Sequence, residues 1–286
     1  MLGQDPFFLW RPRRLDSAAV FSSPHSGREY PAALRARSRL SYTGLRASED
    51  AYVDDLFRPV VDYGAPLLAA RAPRAFVDLN RGPEELDPAI VDGVRATGLN
   101  PRVAAGLGVV PRIVAEGRPI QDGKISLREA QERIASWHRP YHDALSGLLS
   151  AAERRFGFAI LFDCHSMPSD ALRSTPRVGG KRPDIVLGDR FGASAGRDIL
   201  DATYAAFTAA GFTVTCNAPF AGGHITQRYG RPGRGRHAIQ IEIDRGLYLD
   251  QGIVRRSDDY DDFAEKLAMV LPSLASIGRA DLLAAE

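Results

Sequence analysis

Cysteine is scarce in this chain: Cys164 and Cys216 are the only two among 286 residues. That count excludes a disulfide scaffold and fits a reducing compartment, and a core of this size needs no covalent staple. An excess of one charge is lacking too. The 37 basic and 35 acidic residues leave a net charge of +2, too balanced for a surface that grips nucleic acid through concentrated positive charge. No apolar run reaches the ~20 residues of a membrane span. Charges and prolines interrupt the first 20 residues, where a signal peptide would need an unbroken apolar stretch. Repeats and low-complexity segments are absent. These absences leave a soluble protein, expected in the cytoplasm, with neither nucleic acid nor membrane as a partner.

What is present is alternation. Short apolar runs at Ala18–Ser22, Pro66–Ala70, Phe76–Asp78, Phe158–Asp163, Asp184–Leu187, Phe212–Cys216 and Ala238–Ile243 read as strands, several buried on both faces. Helices are expected after Ser126 and at Asp50–Asp62, Ser194–Ala210 and Asp259–Leu274. Ser126 and Glu129 form a capping-box pattern, and Leu127, Ala130, Ile134, Trp137, Tyr141, Leu145, Leu148 and Ala152 make the apolar stripe of one helix. Pro140 is expected to kink or divide it. Strands separated by helices imply an α/β fold, a three-layer α/β/α sandwich around a central sheet. The chain reads as one domain, with the Gly- and Pro-rich segment 82–123 a candidate lid.

Open α/β sheets place their sites beyond the carboxyl ends of strands, and polar residues gather there. The first run leads into Ser23-Pro24-His25-Ser26-Gly27 and the fourth into Asp163-Cys164-His165-Ser166. Two histidines converging with one carboxylate, from Glu49 or Asp50, would make a catalytic zinc site with an open position, or equally the capping acids of a helix. Asn80-Arg81 suits a carboxylate clamp, or a turn with an exposed arginine. Alternation puts Gln240, Glu242 and Asp244 on one face of the last run, and a glutamate there suits a general base. The arginines from Arg228 to Arg236 lie among glycines and are candidates for anion binding; Arg11-Pro12-Arg13-Arg14 reads as a solvated terminus. Cys164 beside His165 invites a cysteine nucleophile, but neighbours on extended backbone point apart. His138 and His142 bracket Pro140 without the flanking glutamate of a helical zinc motif, so they read as packing or hydrogen-bonding residues.

Taken in order, SPHSG at 23–27, EDAYVDDLF at 49–57, VDLNRGP at 77–83, FDCHSMPS at 162–169 and GGHITQRYGRPGRGRHAIQIEID at 222–244 resemble the N-formylglutamate amidohydrolase family. That family is similar to zinc carboxypeptidases and aspartoacylase-like deacylases, which implies a mixed sheet of the phosphorylase/hydrolase-like kind. The resemblance implies zinc held by His25, Asp50 and His165, with Asp50 preferred over Glu49; the same ligands suit Mn, Fe or Co. It also implies Glu242 as general base and Asn80 and Arg81 on one substrate carboxylate; Arg228 or Arg234, in the Gly-rich segment, is the candidate for the other. Where carboxypeptidases place a glutamate three residues after the first histidine, this chain has Arg28. The expected substrate is a small N-acyl acidic amino acid, foremost N-formyl-L-glutamate. The competing readings are a carboxypeptidase, an acyl-amino-acid deacylase, or an acidic-metabolite-binding protein without activity.

Overall fold

Residues 5–95 and 100–278 are described in the structure, a computed structural model. Seven strands pair into one sheet: β1 (Phe7–Trp10), β2 (Ala19–Ser23), β3 (Leu67–Ala70), β4 (Ala159–Met167), β5 (Ile185–Gly188), β6 (Val214–Cys216) and β7 (Arg236–Asp244). Their spatial order is β1-β3-β2-β4-β7-β5-β6. β3, β2, β4 and β7 run parallel, while β1 and β5 lie antiparallel to β3 and β7, so the sheet is mixed.

Alternation along the strands sends side chains into two apolar layers. Phe21, Phe162, Ile239 and Ile241 pack with Phe207, Phe263 and Leu274 from the helices Arg197–Ala209, Tyr260–Ala268 and Leu271–Ser276. On the other face Val20, Leu68, Leu161 and Ala238 pack with Tyr141, Leu145 and Leu149 of the helix Arg139–Phe156. Each fully buried Leu or Phe adds about 1.5–3 kcal/mol. No helix among the described residues is long and apolar enough to cross a membrane.

Several expectations are refined by the structure. Phe76–Asp78 is not a strand. Phe76 is apolar because it packs edge-on to Trp137 with the Arg133 guanidinium 4.2 Å from its centroid, not because it joins a ladder. The run Phe7–Trp10, hidden between prolines and arginines, forms an edge strand instead. The helix expected from Asp50 begins at Val53, after a left-handed Tyr52 (φ 65°), and tightens to a 3-10 turn at Arg58–Tyr63, which contains Pro59. Near Pro140 the helix is divided without the chain turning into a loop: a widened π turn at Ile134–His138 separates Leu127–Arg133 from Arg139–Phe156, which carries Pro140 in its first turn. At the start of Leu127–Arg133, Ser126 Oγ accepts from the Glu129 N–H, while the Glu129 carboxylate turns to Arg37 and Arg133 rather than closing the box.

The described residues of segment 82–123 have little regular structure beyond the short helix Pro101–Ala104 and the turn Ala115–Gly117. They are nonetheless packed, burying Val109, Val110 and Val114.

Candidate active site

The parallel strands β2, β3, β4 and β7 deliver their carboxyl ends to one edge of the sheet, above which lies a cavity of about 640 Å³. His25 sits two residues past β2, its carbonyl accepting from the Asp50 N–H (3.0 Å), so two distant loops are tied together there. His165 lies within β4, two residues from its end. Gly27 lets the same loop pass against the residues that follow β3: a Cβ there would fall 2.0 Å from the Ala72 carbonyl oxygen.

The imidazoles of His25 and His165 meet edge to face, centroids 4.8 Å apart, and both aim Nδ1 at one oxygen of Asp50. His165 Nδ1 is 3.0 Å and His25 Nδ1 3.5 Å from Asp50 Oδ2. All three residues are buried, and their donor atoms lie within 4.8 Å of one another. His25 Nδ1 has no hydrogen-bond partner, an orphaned lone pair facing this point. Behind each ring stands a buried carboxylate: Asp78 Oδ1 at 2.7 Å from His25 Nε2, and Asp163 Oδ2 at 2.9 Å from His165 Nε2. Carboxylate–histidine pairs of this kind fix the ring and leave the other nitrogen for a metal. Asn80 Nδ2 also lies 3.3 Å from His165 Nε2, but the Ile225 N–H donates to Asn80 Oδ1 and so makes that nitrogen a donor; the acceptor for His165 is Asp163.

Electrostatics follow from this packing. Burial disfavours the Asp50 carboxylate, yet His165, His25 and the Arg245 guanidinium (2.7 Å from Oδ1) outweigh it and hold Asp50 well below the usual range. Asp78 is likewise held low against burial by Arg74 and His25. His165 is raised well above its ordinary value because Asp163 and Asp50 overcome its desolvation. Glu49, by contrast, is engaged by Tyr30 and Arg46 and stays out of the triad.

Glu242 is the direct cross-strand partner of His165 in the parallel pairing of β4 and β7. Burial raises its carboxyl to about 7, opposed by the charge of His165. Gln240, two residues earlier, donates to Glu242 Oε1 at 2.8 Å, just as Asp163 holds His165 two residues on. Asp163 pairs with Gln240 in the same register. Both strands therefore use an i, i+2 support on the face that lines the cavity.

With this geometry in place, comparison with known proteins decides the family. Residues 17–249 match the family model described as N-formylglutamate amidohydrolase. The chain belongs to the N-formylglutamate amidohydrolase family. Among similar curated proteins, the N-formylglutamate deformylase of Pseudomonas aeruginosa is 30% identical over 268 residues, spanning 91% of this chain and 93% of its own. That of Pseudomonas putida is 30% identical over 237 residues, covering 81% and 82%. The crystal structure of N-formylglutamate amidohydrolase from Ralstonia eutropha superposes with a TM-score of 0.89 at 33% identity, over 97% of this chain and 100% of that one.

In this amidohydrolase the structure brings His25, Asp50, His165, Asn80, Arg81 and Glu242 to the one cavity. It does not bring Arg228 or Arg234 there. Arg228 is exposed, its guanidinium 5.6 Å from the Tyr229 ring centroid, and Arg234 precedes β7 at the opposite end from Glu242. Four other arginines line the cavity in part or reach it from neighbouring loops: Arg74, Arg81, Arg102 and Arg245, of which only Arg81 was legible beforehand. The missed signals were local: Arg245 directly follows the last matched block, and Asp78 stands two residues before Asn80.

His138 and His142 hold the clamp from below. His138 Nε2 donates to the Arg81 carbonyl and His142 Nε2 to the Leu79 carbonyl, each at 2.9 Å. Asn80 sits between these two anchors. His138, His142 and His224 also cluster closely enough to suggest a second metal group, but both His142 ring nitrogens are taken, Nδ1 by the Tyr229 hydroxyl. Cys164 is fully buried in the core, its thiol raised well above its ordinary value by burial, so it is no nucleophile.

Proposed function

We propose that this cavity hydrolyses N-formyl-L-glutamate to formate and L-glutamate, with one divalent cation, zinc, held by His25 Nδ1, His165 Nδ1 and the Asp50 carboxylate. The observation that carries this reading is the convergence of two imidazole Nδ1 atoms, one of them orphaned, on a single buried carboxylate oxygen beside Glu242. Two nitrogens and one oxygen make a donor set suited to catalytic zinc with an open position. When bound, the cation supplies Lewis acidity to the formyl carbonyl and makes water a usable nucleophile near neutral pH.

The protein's own groups do the rest. Asp78 and Asp163 keep the rings oriented, and Arg245 keeps Asp50 ionised. Asn80 and Arg81 hold the α-carboxylate; the Arg81 Nε–H is fixed on the Leu107 carbonyl at 2.8 Å, which leaves the far edge of the fork for the substrate. Glu242, raised to about 7 by burial, takes a proton from the attacking water and passes it to the departing nitrogen as the C–N bond breaks. Segment 82–123 forms one wall of the cavity and shields the reaction from bulk water.

Formate release from N-formyl-L-glutamate by purified protein tests the reading, with and without a chelator and added zinc. Release that a chelator stops and zinc restores is expected. A zinc-loaded protein that releases no formate overturns the substrate; undiminished release after the chelator has stripped all metal overturns the cation.

A further inference from the structure

The four arginines of the cavity are not equivalent. Arg74 is spent on Asp78 (2.8 Å), and Arg245 on Asp50, the Ser166 hydroxyl and the Ala47 carbonyl. Among the described residues, the Arg81 guanidinium hydrogen-bonds to backbone oxygens alone, those of Leu107 and Asn80. Arg102 carries an exposed guanidinium that makes no salt bridge or side-chain hydrogen bond among the described residues, though it lines the cavity. The two uncommitted guanidinia share one strut. Arg81 Nε donates to the Leu107 carbonyl, and the Leu107 N–H donates to the Arg102 carbonyl, both at 2.8 Å.

Arg102 is also held in place locally. Asn100 caps the helix Pro101–Ala104, its Oδ1 accepting from the Arg102 N–H (3.0 Å) and the Val103 N–H (3.3 Å). The other end of that carboxamide donates to Glu85 Oε2 at 3.2 Å, and Glu85 Oε1 accepts from the Gly82 N–H. Glu85, the acid beside this pair, is therefore committed to holding the loop. Two like charges set near each other, neither in a salt bridge among the described residues, mark a place for a ligand with two negative groups. Burial first, and then the charges of Arg102 and Arg74, draw Arg81 below its ordinary range against the pull of Asp78.

We propose that Arg102 is the specificity-determining residue that binds the side-chain carboxylate of the substrate, while Arg81 binds the α-carboxylate. This rests on the reading of the cavity as an N-formyl amino acid hydrolase, and replaces Arg228 and Arg234 in the role that the sequence suggested for them. The cavity then selects dicarboxylates over neutral N-formyl amino acids by one charge on a short helix, away from the reacting bond.

The test compares Arg102→Gln and Arg102→Lys with the zinc-loaded wild type on N-formyl-L-glutamate and N-formyl-L-glutamine. Loss of a charge-assisted bond lowers kcat/KM for the glutamate substrate by roughly 10- to 100-fold. The loss is expected in KM, because the contact is made equally in ground and transition states. The glutamine substrate should change less than about threefold on the same scale, and Arg102→Lys should recover part of the loss on glutamate. Equal losses on both substrates, or none on glutamate, overturn the role of Arg102 while leaving the hydrolase standing. A wild type inactive on both substrates removes the hydrolase reading instead. Calorimetric titration with L-glutamate and L-glutamine then judges Arg102 on its own: a weakening of glutamate binding confined to the variant supports the subsite, and equal binding by both proteins rejects it.

Discussion

Replacing Asp163 by Asn isolates what a buried carboxylate does for its histidine. The side chain is fully buried, 2.9 Å from His165 Nε2, and its other oxygen lies 3.4 Å from the Ser22 hydroxyl. Asn keeps the size and one acceptor but removes the charge, and its amide group can turn a donor toward a ring that itself donates. Supporting carboxylates of this kind are worth about 10- to 100-fold in metal affinity, which is roughly 1.4–2.7 kcal/mol. Competition with a chromophoric chelator at constant pH reads this directly, and circular dichroism of the same sample checks the fold. The expected result is a Kd for zinc raised by about one to two orders of magnitude. At saturating zinc, activity should return in large part, because the group touches no substrate. A folded variant binding zinc within twofold of wild type would refute the assignment of His165 Nδ1 as a ligand oriented by Asp163.

Three further outcomes are expected. Glu242→Gln should bind zinc normally yet release formate about 10²- to 10⁴-fold more slowly, the range for losing a positioned base; metal analysis beside the activity assay checks both, and near-normal turnover removes Glu242 from that role. Gly223→Ala should raise KM about tenfold by the loss of a placed hydrogen bond, since the new Cβ would meet Asn80 Nδ2 at 2.5 Å; an unchanged KM would show that Asn80 does not hold the substrate. Stability should fall as pH drops below 6.5, because burial, and secondarily the charge of His138, hold His142 well below that value. Over this window the unfolded chain binds the extra proton and the native protein does not, so acid favours unfolding. Denaturant midpoints from pH 8 to 5 measure the slope, which His142→Gln should reduce; an identical slope in that variant would sink the attribution.

The architecture and half of the site could be read from residue order, because parallel strands advertise themselves as apolar runs and their polar termini mark the edge where sites lie. His25, His165 and Glu242 stood out for that reason, each beside or inside such a run. What failed to show were contacts between residues far apart in sequence. Gln240 looked like an ordinary polar residue until the register paired it with Asp163 beside Glu242. Arg228 looked better placed than Arg102 because it sits in an arginine-rich stretch, yet helix His224–Tyr229 leaves its side chain exposed outside the cavity while a capped turn far away in the chain supplies Arg102. Phe76 misled through composition alone, as its ring serves tertiary packing that a strand reading cannot distinguish from a ladder position.

The ladder between β4 and β7 acts as a ruler. His165 stands opposite Glu242 and Asp163 opposite Gln240, so the spacing from His165 to Glu242 is set by neighbouring strands about 4.8 Å apart, not by loops. A slip of one residue in β7 would turn Gln240 and Glu242 into the apolar layer that holds Ile239 and Ile241, a change the core cannot absorb. The reacting distance is thereby insulated from change in the surrounding loops. Those loops, including the one carrying Arg102, are free to be redrawn for another acyl amino acid while the spacing between His165 and Glu242 stays as it is.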